Sequence, residues 1–147
     1  MTASIFFVGV SLILFAYWFR YTCLLILTSQ PARDFAKDVA EANRLTFREV
    51  QESLAGPLST MELDALRRKL DRDYALITCL LRHGAEFKVA GSAIEDRMLM
   101  VHYGLMRCWY GLARRLSVAR GRQALEEMAQ IVNHFAGAMG ERSAAAA

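Results

Sequence analysis

Residues 4–27 read SIFFVGVSLILFAYWFRYTCLLIL and carry a single charged side chain, Arg20. At about 1.5 Å per residue this stretch makes a helix roughly 36 Å long, enough to cross a hydrocarbon layer of about 30 Å. A secretory signal peptide would want a basic start, a shorter apolar core and a small-residue cleavage pattern. Here no Lys or Arg precedes Arg20, and no A-x-A pattern precedes Pro31. A lipoprotein signal fits no better, because Arg20, Tyr21 and Thr22 stand directly before Cys23. The stretch is expected to be an uncleaved membrane-spanning helix.

Tyr17, Trp18 and Tyr21 cluster beside Arg20, the combination found where a helix meets lipid head groups and a long cation snorkels to water. The lower boundary of the span is therefore expected near Arg20, with residues 22–27 continuing at the interface and free to pack on the body. Arg20, Arg33, Lys37 and Arg44 all come after the apolar core. The positive-inside bias then places the N-terminus outside and the C-terminal body in the cytoplasm. Gly9, Ala16 and Cys23 recur every seven residues. Small residues in register let membrane helices approach closely, which suggests self-association or pairing with another subunit, against chance recurrence as the plain alternative.

The chain is 147 residues long, so beyond the anchor of residues 1–28 there is material for one domain, expected over residues 29–140. Gly137, Gly140 and the run from Ala144 to Ala147 suggest a frayed, disordered tail over 141–147. A formal net charge of +3 with interspersed signs gives no global argument for nucleic acid. Cys23, Cys79 and Cys108 are an odd set without C-x-x-C or a histidine at zinc spacing, which fits a reducing compartment and gives no metal site.

The body reads as all-α. A stripe of Phe35, Val39, Phe47, Val50 and Leu54, with Ala42 alongside, predicts one helix over 31–54, begun by Pro31 and stopped by Gly56-Pro57. Ser59 with Glu62 forms a capping box for a second helix over 59–83, whose stripe is Leu63, Leu66, Leu70, Tyr74, Ile77 and Leu81. Its surface pairs are expected to be Asp64 with Arg68 and Lys69 with Asp73, with His83 at its C-terminus and Gly84 as the stop. A short connection through Phe87 and Val89 leads to Ser92 and Glu95, a second capping box. This starts a third helix, over 92–119, with the regular stripe Ile94, Met98, Val101, Leu105, Cys108, Leu112 and Leu116 and with Trp109 leaning into it. Gly121 separates a fourth, with Leu125, Met128, Val132, Phe135 and Met139. No internal repeat aligns. The economical architecture is a bundle of about four helices behind a single transmembrane helix.

No catalytic residue can be named. The motifs of di-iron bundles, zinc proteases, haem attachment and acyl-transfer enzymes do not occur, so no cofactor, no metal site and no enzymatic activity are expected. On the third helix, Leu99, Tyr103, Met106 and Tyr110 extend the apolar arc beyond the regular stripe. They are the expected contact patch, with Arg114 and Arg115 at its rim, against the alternative that the same residues simply pack on the first or second helix. Gly104 and Gly111 share one face and predict close approach by a helix or a flat ligand. With His102 they make the weaker alternative, a tetrapyrrole or lipid-like ligand between helices. Between Met98 and Leu125 there is no acid, while Arg107, Arg114, Arg115, Arg120 and Arg122 are present. This basic corner is expected to be neutralised by acids of neighbouring helices, with an acidic partner or lipid head groups as the other readings. The expected function is binding: an accessory or scaffolding subunit of a membrane-associated assembly, with a protein partner or a second copy. The alternative is a cofactor- or ligand-binding bundle, with or without enzymatic activity.

Overall fold

The computed structural model describes residues 2–29, 35–83 and 92–146. Its elements are α1 (Thr2–Thr28), α2 (Phe35–Asn43), α3 (Phe47–Leu54), α4 (Thr60–His83), α5 (Ser92–Leu116) and α6 (Val118–Ala146), with no strand among the described residues. The expected start at Pro31, the stop at Gly84, the connection through Phe87 and Val89, and the side chain of Ser92 in the second capping box lie outside the described residues.

α1 is long and apolar enough to cross a membrane from Ser4 to Thr28. It also changes character along its length. Residues 4–18 are bare except for the half-buried Gly9, whereas Cys23 is fully buried and Phe19, Ile26 and Leu27 pack against the core. As residues 22–27 suggested, the anchor's last turns are part of the body, so no boundary at residue 28 separates the two.

The single helix expected over 31–54 is two. α2 ends in a left-handed residue, Arg44 at φ 52°. The Leu45 amide bonds back to the Ala40 carbonyl at 2.9 Å and the Arg44 amide to the Glu41 carbonyl at 3.4 Å. This is a Schellman stop built without the usual glycine. α3 restarts at once, and its N-terminus is served by a side chain from another helix. Asp73 of α4, 2% exposed, accepts the Thr46 amide at 2.7 Å and the Thr46 hydroxyl at 3.2 Å. Burial raises the Asp73 carboxyl above its ordinary value despite these bonds. Asp73 is therefore not the surface partner of Lys69, which instead reaches Glu49 at 3.6 Å.

α4 begins as the capping box requires. The Ser59 amide donates to Glu62 at 2.7 Å and the Glu62 amide to the Ser59 hydroxyl at 3.4 Å. The bonds from Ser59 hold the Glu62 carboxyl below its usual range. At the far end His83 Nδ1 meets the Cys79 carbonyl at 2.8 Å, closing the helix as its position suggested. The chain turns between α5 and α6 at Ser117, whose hydroxyl accepts the Ala119 amide at 3.1 Å, four residues before the expected break at Gly121.

α6 is the central helix, packed against all the others. Leu125, Met128, Ile131, Val132 and Phe135 are fully buried along it. The tail expected over 141–147 is helical to Ala146, and Arg142 ties it to Asp96 of α5 at 2.6 Å. Gly140 is a crossing point, not a site of fraying. A Cβ there would stand 2.5 Å from the Phe35 Cβ of α2 and 3.2 Å from Val39.

Candidate functional site

α5 is apolar around more than half its circumference, and burial divides that arc into two faces. The inner one carries Leu99, Tyr103, Met106, Tyr110 and Ala113, each at most 7% exposed. The outer one carries Ile94, Val101, Leu105, Leu112 and Leu116, between 51% and 70% exposed, with Cys108 exposed beside them and Trp109 at its edge. This inverts the expectation. The contact patch expected on Leu99, Tyr103, Met106 and Tyr110 is core, and the regular stripe is bare except at Met98, which packs against the core.

α5 packs chiefly on α6, and the polar tips of its inner face are met from α4. Tyr103 donates its phenol to Asp71 at 3.0 Å, and Tyr110 donates to Asp64 at 2.9 Å. Arg107 lies 3.4 Å from the same Asp71, and Arg114 pairs with the same Asp64. One pattern thus occurs twice at a seven-residue spacing. Tyr103-Gly104-Leu105-Met106-Arg107 and Tyr110-Gly111-Leu112-Ala113-Arg114 each send a tyrosine and an arginine to one aspartate, and the two aspartates are also seven apart. A buried ring is costly unless its hydroxyl finds an acceptor, so the side of α5 with two phenols turns to the side of α4 with two carboxylates. Arg67 completes the seam, 3.5 Å from Asp71 and 5.7 Å over the Tyr110 ring. Tyr74 stacks on Tyr103 with ring centres 3.8 Å apart.

The electrostatics follow. Burial, then the bond to Asp64, pushes the Tyr110 phenol up to about 12. Burial and Asp71 raise Tyr103 further still. Asp64 is raised by its own burial, but the bonds from Tyr110 and Arg114 outweigh this and leave its carboxyl below its ordinary value. The pairing of Asp64 with Arg68 expected from sequence gives way to this seam.

Gly104 and Gly111 follow the tyrosine in each repeat. A Cβ at either would meet nothing within 4 Å, so no helix among the described residues approaches them. His102 does not join them. It is 1% exposed, its ring 6.4 Å from that of Phe19 on α1 and its Nε2 3.5 Å from Glu127 of α6. The three residues of the weaker alternative therefore do not line one groove.

A second feature stands where α1 meets α5 and α6. Arg20, the one charge of the apolar helix, bonds Glu127 Oε1 at 2.5 Å. Beside this pair is a cleft of about 200 Å³ lined by Arg20, Met106, Trp109, Arg120, Gln123, Ala124 and Glu127. The Glu127 side chain is 10% exposed, and its Oε2 has no hydrogen-bond partner.

The basic corner is neutralised in part. Arg107 and Arg114 reach aspartates and Arg122 bonds the Gly56 carbonyl at 2.5 Å. Arg115 and Arg120 are exposed and form no ion pair among the described residues. Of the small residues spaced along α1, Cys23 packs into the body, while Ala16 is exposed and a Cβ at Gly9 would meet open space. Sequence reasoning missed the duplicated Tyr-Gly-Leu-x-Arg, the Arg20 to Glu127 pair and the cleft. The first was visible as a heptad repeat; the other two needed the fold. The chain matches no known protein family, no curated protein and no solved structure.

Proposed function

We propose that this is a single-pass membrane protein that works by binding an α-helix of a protein partner along the outer face of α5. It would serve as an accessory or scaffolding subunit of a membrane-associated assembly, with its body in the cytoplasm. The observation that carries the reading is that outer face. A folded helix leaving five large aliphatic side chains more than half exposed in one row is far from the scattered apolar residues of an ordinary surface. Its spacing favours a helix as the occupant. Val101 and Cys108, Gly104 and Gly111, and Leu105 and Leu112 are three rows of a seven-residue period. The glycines open holes between the leucine knobs, the surface that a helix packed lengthwise fills. Arg115 at its end suits an interface rim. The apolar α1 and the arginines and lysine that come after its core support the membrane location and the orientation.

The test is photo-crosslinking in intact membranes from Leu105 and from Leu112, together with recovery in mild detergent. A discrete heterologous companion should be captured from both positions and lost in Leu105→Glu. That substitution should leave the fold unchanged, because the side chain contributes little to the core. Recovery of a monodisperse monomer, or capture of only a second copy of the chain, would sink the accessory-subunit reading.

A further inference from the structure

We propose that the cleft between α1, α5 and α6 binds the phosphodiester head group of a phospholipid. The inference rests on α1 crossing the bilayer, because that places Arg20 and the aromatic cluster of Tyr17, Trp18 and Tyr21 at head-group depth.

Size is the first argument. At about 30 Å³ per water, a volume of about 200 Å³ has room for roughly seven water molecules. That suits a polar head group and excludes a helix about 10 Å across. Charge is the second. Two guanidinium groups, Arg20 and Arg120, and one carboxylate, Glu127, leave a single net positive charge on the walls, the complement of one phosphodiester. Arg20 is already engaged by Glu127 Oε1, whereas Arg120 forms no ion pair among the described residues. The Arg120 fork is suited to bidentate phosphate recognition, with the exposed Gln123 amide one turn further along α6.

Glu127 keeps Arg20 in place on the opposite wall: its Oε1 takes the Arg20 bond, while its Oε2 is buried 3.5 Å from His102 Nε2, away from solvent. The acyl chains would lie on the exposed face of α1 toward Leu14 and Tyr17, which points the lipid the same way as the helix.

Trp109 lines the cleft and Trp18 is the chain's only other tryptophan, so a Trp18→Phe background turns Trp109 into the reporter. The full chain in mild detergent is titrated with phosphatidylglycerol, with diacylglycerol as the phosphate-free lipid and with glycerol 3-phosphate as the lipid-free source of the same group. Phosphatidylglycerol should shift Trp109 emission at several-fold lower concentration than diacylglycerol, and glycerol 3-phosphate should not compete. Arg120→Ala should weaken the phosphatidylglycerol response by about tenfold, the value of one charge-assisted bond. Arg120 is exposed, so the substitution leaves the fold intact. Equal response to both lipids, no effect of Arg120→Ala, or equal competition by glycerol 3-phosphate would overturn the proposal. Extraction of the unmodified chain by alkaline carbonate would instead sink the membrane reading on which it rests.

Discussion

The two faces of α5 have nearly the same apolar content and opposite fates. The outer face has the more regular stripe and is built from Ile, Val, Leu and Cys. The inner face is more polar by composition, with two tyrosines, yet it is buried. What separates them is what each finds across the gap. Two phenols meet two carboxylates at matching seven-residue spacing on α4, and two arginines close the same carboxylates from the side. Hydrophobic burial is non-directional, so it cannot choose between two apolar arcs. Hydrogen bonds that must be made inside can.

The contrast is broken most directly by truncation. Tyr110→Ala should cost about 3–5 kcal/mol in chemical denaturation, the usual loss for a large buried aromatic, whereas Leu112→Ala two residues on should stay within about 0.5 kcal/mol. Equal costs would mean that the outer face is not free in the isolated chain. Removing only the hydroxyls is the sharper version. Tyr103→Phe and Tyr110→Phe should each cost about 1 kcal/mol, and the double variant should depart from their sum, because Arg67 touches both pairs.

The glycines of the outer face run the other way. Gly104→Ala and Gly111→Ala should each stabilise by up to about 1 kcal/mol through helix propensity, because a Cβ meets open space there. Gly140→Ala should destabilise, because its Cβ would collide with Phe35. If Gly104→Leu leaves the chain folded but abolishes the crosslink from Leu105, the outer face is a helix-docking surface and not a packing defect.

The last effect is a matter of pH. The folded Asp64 carboxyl titrates below its ordinary value, so its stabilisation is present above that value and lost as pH falls through the folded one. Asp64→Asn should therefore flatten the acid limb of the stability profile. Tyr110 has the opposite sense. Its stabilisation is complete below 10 and is lost between 10 and about 12, so Tyr110→Phe should flatten the alkaline limb, read by tyrosinate absorbance during unfolding.

Much of the architecture was legible. Helical periodicity and the Ser59 to Glu62 box gave α4, and the stripe from Leu125 to Met139 gave the buried side of α6. The break at Arg44 was hidden because an arginine holds a left-handed position where glycine is the usual signal. Asp73 looked like a surface partner for Lys69, because the amide it accepts lies 27 residues away. The inversion of α5 had a readable cue in the doubled Tyr-Gly-Leu-x-Arg, but deciding its direction required the register of Asp64 and Asp71 across the bundle. Neither the cleft nor the partner of Arg20 could be read from periodicity, since three helices meet there.

Finally, α1 is one unbroken helix whose bare first half and buried Cys23 share a single rigid axis. If that half sits in lipid as proposed, there is no hinge at which the bilayer and the body can move independently. A thinner or thicker bilayer changes the tilt of such a rod, and the lever would end on the Phe19 to His102 contact and the Arg20 to Glu127 bond. The interior of this protein would then respond to the mechanical state of the membrane around it.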